Sequence, residues 1–255
     1  MSDEKVFNKY RERGSMHWRE MISRDVRVFN AFQQARYQWI IKTLGADFTG
    51  KKVLDLGCGD GALSYLLARE GLEVTGVDNE ELGIKFANEN LQRVNQNNKL
   101  KYSFVVASAY ELPFPSSSFD AIVHCEVFEH LAEPEKMLAE AKRVLKPGGK
   151  FVMTTPYRLV EVPADPNHIK EYFPGEVRKI LERYFSGVEI KLTHHVFWYG
   201  MYTYSWKYFG NRKLGLWLIN ALALYFGFNP FMIDYSKPTK FDIFAQILAS
   251  GRKPQ

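Results

Sequence analysis

Between Lys52 and Pro156, short apolar runs alternate with helix-patterned stretches, and that alternation restricts the chain to few architectures. Val53-Leu54-Asp55-Leu56, Val74-Thr75-Gly76-Val77, Phe104-Val105-Val106, Ala121-Ile122-Val123 and Phe151-Val152-Met153 read as buried strands. Gly61–Arg69 and residues 81–93 and 134–145 read as helices between them. The last is stopped by Lys146-Pro147-Gly148-Gly149, a C-terminal stop followed by a turn. Strands and helices alternating at this spacing predict a parallel sheet covered by helices on both faces. Upstream, residues 24–45 read as a helix through Val28, Phe32, Ala35, Trp39 and Ile40. Downstream, Pro174–Tyr184 reads as a helix, Val188–Leu192 as a strand and Phe241–Ser250 as a final strand.

The expectation is therefore an α/β, Rossmann-like single domain over residues 1–255. Its seven-stranded sheet is mostly parallel, with an antiparallel last strand. The cofactor-binding core spans 52–193, a cap-like insert 194–240 and the last strand 241–251. The 46% hydrophobic and 25% charged content fits a folded enzyme and excludes a disordered or fibrous chain. Two cysteines, Cys58 and Cys125, cannot form a disulfide framework or a four-thiolate zinc site. They read as small buried residues at strand ends. The first thirty residues carry charges throughout and no apolar signal region, so a cytoplasmic location is expected. The net charge of +5 comes from the tail, where residues 194–255 hold 7 basic and 2 acidic side chains. No broad basic groove is spread over the domain, so no DNA partner is expected.

Asp55-Leu56-Gly57-Cys58-Gly59-Asp60-Gly61 lies where the first strand hands over to the first helix of the sheet. Glycines let the backbone bend sharply there and let a ligand come close. A dinucleotide fingerprint would read G-x-G-x-x-G, but here the third glycine is one residue early and position 62 is Ala62. Asp55 would face an anionic pyrophosphate, whereas a carboxylate suits a cationic ligand. Asp78 ends the second strand, placed to take two ribose hydroxyls. VLDLGCGDG, VTGVD, ELPFPSSSFD, EVFEHL and LKPGGKFVMTTP together resemble the class I S-adenosylmethionine-dependent methyltransferases, from about Arg36 to Pro156.

That resemblance implies Gly57, Gly59 and Gly61 near the methionine part of S-adenosylmethionine, Asp78 on the ribose and Asn79 beside the adenine. Ser108 and Ala109 match the stretch flanking the adenine amino group; many relatives carry Asp at the Ser108 position. The segment Ala35-Arg36-Tyr37-Gln38-Trp39-Ile40 resembles one that offers an arginine, here Arg36, to the cofactor carboxylate. Asp55 and Cys125 complete the expected cofactor surroundings.

Glu126-Val127-Phe128-Glu129-His130 follows the fourth strand at the ligand edge. In quinone O-methyltransferases and RNA 3′-terminal 2′-O-methyltransferases a similar E-x-x-E-H holds a divalent metal. The expected metal ligands are Glu126, Glu129, His130 and, from Asp165-Pro166-Asn167-His168, His168. The competing expectation makes His130 or His168 a direct base, with Glu129 beside it; a third is that the cluster only shapes the pocket. Either active role points to a hydroxyl acceptor.

Residues 197–209, FWYGMYTYSWKYF, precede a charge-free run of twenty, Leu214–Ile233. Asn229-Pro230 should stop a helix, leaving Leu214–Phe228 at roughly 22 Å, short of the roughly 30 Å hydrocarbon core. The segment is expected to be a helical cap over the active site or a homodimer contact. An interfacial helix flanked by Arg212 and Lys213, touching a membrane surface through residues 197–232, is the other expectation. The expected activity is methyl transfer to a hydroxyl of a small-molecule or lipid- or sugar-linked acceptor. The alternatives are a cofactor-binding regulatory module without transfer, RNA 2′-O-methylation, and, disfavoured by the glycine spacing, a nicotinamide dehydrogenase.

Overall fold

The computed structural model describes residues 9–160, 163, 165–204, 213–235, 238–239 and 242–255. Seven strands form one sheet: β1 (Lys52–Leu56), β2 (Glu73–Asp78), β3 (Tyr102–Val106), β4 (Phe119–Cys125), β5 (Leu145–Pro156), β6 (Ser186–His195) and β7 (Phe244–Arg252). Their order is β3-β2-β1-β4-β5-β7-β6. β1 to β5 pair in parallel, and β7 runs antiparallel between β5 and β6. The expected sheet is thus present. The order reverses between β1 and β4, and the crevice at the carboxyl ends of those strands is where such sheets bind ligands.

Alternate residues of the central strands feed opposite faces. Leu54, Ile122 and Phe151 pack with Leu138 and Ala141 of α6 (Pro134–Val144) and with Val177 and Leu181 of α7 (Pro174–Leu181). Val53, Val123 and Val152 pack with Trp39 and Ile40 of α3 (Ala31–Leu44) and with Leu63 and Leu67 of α4 (Ala62–Arg69). Both faces are covered, which is why these strands read as unbroken apolar runs. The helix α5 (Glu81–Val94) completes the β2–β3 crossover.

Several boundaries differ from the sequence reading. The first long helix starts at Ala31 and not at residue 24, because the Asn30 side chain accepts from Gln33 N at 2.9 Å and caps it. The helix at 174 ends at Leu181, short of Tyr184. Lys146-Pro147-Gly148-Gly149 is no turn ahead of a strand: β5 already begins at Leu145, and the glycines form an irregularity inside it. Phe119 pairs with Leu145 but Ala121 with Lys150, so the extra residues bulge out, with Gly148 at φ +72°. The last strand is described from Phe244; Phe241 and Arg212 lie outside the described residues.

Two helices were not foreseen, α1 (Lys9–Arg13) and α2 (Met16–Ile22). Their sequence carries little apolar periodicity, and tertiary contacts hold them. Between β6 and β7 stand α8 (Val196–Thr203) and α9 (Leu214–Tyr225). Tyr202 and Ile219 from these helices bury themselves with Phe29, Phe32 and Phe231 in a third cluster at the start of α3. Asn220 is fully buried there; it accepts from Ala31 N and donates to the carbonyls of Val26 and Phe29. Excising the insert would therefore uncover that cluster, not leave an intact domain. Among the described residues, no helix is long and apolar enough to cross a membrane.

Candidate active site

The glycine turn sits at the carboxyl end of β1, between Val127 and Tyr10. Gly57 has φ +82°, and a Cβ there would overlap Val127 of the loop after β4. Gly59 has φ +53°, and a Cβ there would overlap the Tyr10 hydroxyl. So α1 and α2 cover the turn, a role the insert was expected to fill. Asp60, inside the turn, ties them down: its Oδ2 accepts from Trp18 N at 3.0 Å and Ser15 Oγ at 3.3 Å, at the start of α2. Asn90 of α5 adds bonds to Ser15 Oγ and the Asp60 carbonyl.

Asp78 ends β2 and accepts from Gly59 N and Glu80 N, each at 2.9 Å. Asp55 is buried under the turn and accepts from Ser64 Oγ at 2.6 Å; burial lifts its pKa to about 7. Asn79 and Ser108 are exposed at the ends of β2 and β3, and the Ser108 hydroxyl accepts from Tyr110 N. Ala109 is half-buried beside it. Cys125 accepts from Thr154 Oγ1, and burial pushes its thiol pKa up, so it is an inert small side chain at the end of β4.

Arg36 reaches the same edge from α3. Its Nη2 pairs with Glu126 at 2.9 Å, its Nη1 donates to Gln33 at 2.7 Å, and its guanidinium lies 4.4 Å over the Phe32 ring. Gln246 of β7 bridges the pair when its amide oxygen faces Arg36, accepting from it at 2.9 Å and donating to Glu126 at 2.8 Å. The Arg36 Nε is buried and has no hydrogen-bond acceptor among the described residues. That orphaned cationic donor fits an anionic ligand group such as the carboxylate of S-adenosylmethionine. Tyr199 and His194 pack against Phe32, with ring centroids 5.2 Å and 4.5 Å from it, which is how the insert meets the site.

Glu126 corrects the metal expectation. Its backbone turns left-handed, φ +55°, directly after the last parallel rung of β4, where Glu126 N donates to Thr154 O. The side chain is thereby aimed at Arg36. Glu129, three residues on in a 3₁₀ turn (Phe128–His130), points inward instead and accepts from Thr155 Oγ1 at 2.9 Å. Burial, then the neighbouring Glu126, hold its pKa well above the usual carboxylate range.

The other three expected ligands do converge: one donor atom each from Glu129, His130 and His168 lies within 4.8 Å of the others. The Glu129 carbonyl accepts from Ile169 N and Lys170 N, and this lacing brings His168 onto His130, ring centroids 4.9 Å apart. His130 Nδ1 bonds the Asn167 carbonyl, and burial lowers its pKa, keeping it neutral. His168 Nδ1 bonds Glu171 Oε1 at 2.8 Å, with both side chains largely buried. Glu171 went unread in the sequence, although His168-x-x-Glu171 spacing was the available signal. A carboxylate on one nitrogen of an imidazole orients the ring and raises the basicity of the other nitrogen.

Residues 54–153 match the methyltransferase domain family. A probable S-adenosylmethionine-dependent methyltransferase of Mycolicibacterium smegmatis is 30% identical over 167 residues, covering 64% of this chain and 61% of that protein. A ubiquinone biosynthesis O-methyltransferase of Idiomarina loihiensis is 37% identical over 112 residues, 44% of this chain and 45% of that protein. The chain thus spans about half to three fifths of the length of these relatives. The crystal structure of a SAM-dependent methyltransferase from Aquifex aeolicus superposes with TM-score 0.50 at 26% identity, covering 62% of this chain and 82% of that one.

Proposed function

The chain belongs to the class I S-adenosylmethionine-dependent methyltransferases, and from that premise we propose that it methylates a hydroxyl oxygen on a small or lipid-linked acceptor. The observation that carries this reading is the His168–Glu171 pair, held against His130 beside the cofactor edge. The name of the Idiomarina relative supports an oxygen acceptor. Bound at the glycine turn, S-adenosylmethionine supplies a methyl carbon on a sulfonium that departs as a neutral thioether once the acceptor oxygen takes the carbon. Asp78 would hold the ribose, Asn79, Ser108 and Ala109 would flank the adenine, and Arg36 would hold the carboxylate, exchanging part of its contact with Glu126. His168 accepts the hydroxyl proton as the oxygen–carbon bond forms, and Glu171 stabilises the resulting imidazolium. Glu129, held by Thr155 Oγ1, lines the floor of this cluster. Tyr10 and Trp18 keep water from the turn.

A metal is the second reading, favoured by the convergence of Glu129, His130 and His168. One carboxylate and two imidazoles fit zinc, manganese or ferrous iron, and a metal there would lower the pKa of the acceptor hydroxyl. Glu126 is outside that donor set. Incubation with S-adenosylmethionine and a panel of phenols, catechols, sugars and short RNAs, read by mass spectrometry, tests the function. A methylated phenol or catechol is expected. Tight cofactor binding with no product on any of them would instead mark a binding module. Activity that survives a chelator retains the base reading; loss restored by a metal selects the other.

Asp55 sets a pH dependence of cofactor binding. Its carboxyl, with pKa about 7, must ionise to meet a cationic ligand. The ligand favours the charged form, so affinity should rise with pH up to about 7 and level off above. From pH 8 to pH 6 calorimetry should find roughly tenfold weaker binding. A flat profile would remove Asp55 from the cofactor's electrostatic surroundings.

A further inference from the structure

The outward face of α9 is apolar where a surface helix ordinarily carries charge. Gly215, Ile219 and Asn220 are buried against the start of α3. Leu214, Trp217, Leu218, Ala221 and Tyr225 lie at i, i+3, i+4, i+7 and i+11, the opposite side of the helix, and none belongs to the cluster beneath. Tyr225 is 61% exposed, and the next residue, Phe226, 76% exposed. Such a face destabilises a water-exposed surface, so something covers it.

Charge says what. From residue 190 to residue 233 the sequence has no Asp or Glu, while Lys191, Lys207, Arg212 and Lys213 are basic. Exposed cations stand at both ends of the helix: Lys213 at its N-terminal cap, and Arg24, whose carbonyl accepts from the Tyr225 hydroxyl. The acids near that end are engaged, Asp25 by Arg27 at 2.7 Å and Glu20 by Asn30 at 2.8 Å. An apolar helix face with aromatic side chains and a cation at each end matches a helix lying in the interface of an anionic bilayer. We propose that α9, with the turn at Arg24–Val28, docks the protein on an anionic lipid surface. The Asn220 bonds that pin the inner face fix the outer face toward the membrane, with no span required. An interfacial helix needs only to immerse one side, and Trp217 and Tyr225 are side chains suited to the headgroup level.

The test is sedimentation of the full chain with vesicles of phosphatidylcholine alone or with a quarter phosphatidylglycerol. Binding is expected to the anionic vesicles, weakened by salt. Leu218→Glu with Phe226→Asp should weaken it by at least about tenfold, as should the charge reversal Arg24→Glu with Lys213→Glu. All these residues are exposed, and unchanged S-adenosylmethionine binding in each variant checks that the fold is kept. A wild-type chain that stays in the supernatant at low salt overturns the proposal. So does equal binding to neutral vesicles, because the cations would then do nothing. A dimer that Leu218→Glu dissociates, without vesicle binding, also overturns it and gives the face to a second copy.

Discussion

Replacing His168 by alanine is expected to lower turnover by roughly 10²–10⁴-fold while the dissociation constant for S-adenosylmethionine moves by less than about twofold. The two readouts separate because His168 faces the acceptor side. It sits in the loop after β5, bonded to Glu171 and packed on His130, whereas the proposed cofactor contacts come from β1, β2 and α3. A base contributes only while a proton moves, so its loss should appear in kcat and leave cofactor binding nearly untouched. Glu171→Gln should give a smaller loss of turnover and a pH–rate profile displaced to lower pH or flattened, since an imidazole without its carboxylate partner is the weaker base. A merely structural pair would leave that profile's shape alone. If His168→Ala retains full turnover, the base assignment fails; Glu129→Gln and His130→Ala then test the remaining members of the cluster.

Asp78→Ala should weaken S-adenosylmethionine binding by about 2–3 kcal/mol, about 30- to 150-fold, for the loss of two charge-assisted hydrogen bonds to the ribose. Both carboxylate oxygens already accept a backbone N–H, from Gly59 and from Glu80, which fixes the carboxylate plane before any ligand arrives. Each oxygen keeps a further lone pair for a hydroxyl. The same bonds mean that alanine also loosens the glycine turn. Asp78→Asn separates the two effects, because it keeps one acceptor for the turn and loses the charge. Calorimetry on both variants, beside their melting temperatures, reads the contributions apart. An unchanged dissociation constant in Asp78→Ala would refute the ribose assignment.

The parts legible in the sequence are those set by neighbours along the chain. Val53–Leu56 and Ala121–Val123 could be read because both faces of β1 and β4 are covered, which demands unbroken apolar runs ended by glycine or polar residues. The glycine turn and Asp78 were legible because a strand, a tight turn and a helix are all local. The start of α3 was misread because Val28 keeps the helical spacing, although Asn30, a capping residue, was there to be seen. The glycines after Lys146 were misread because turn and bulge use the same residues; only the register against β4 distinguishes them.

The alternating pattern, the G-x-G-x-G turn, the acid closing β2 and the cluster Glu126–His130 were determined by the sequence alone, since short-range periodicity and turn chemistry specify them. Which glutamate does what was decided only in three dimensions. The left-handed residue at the end of β4 sends Glu126 to Arg36, ninety residues away, and leaves Glu129 to Thr155 and the two histidines. Likewise Tyr10 and Asp60 join α1 and α2 to the turn across some fifty residues of chain, and Asn220 chooses which side of an evenly apolar helix is buried. Burial raises the value of each such contact, because a polar group taken from water must find its partner wherever the fold brings one. That partner is set by packing, and composition along the chain carries no mark of it.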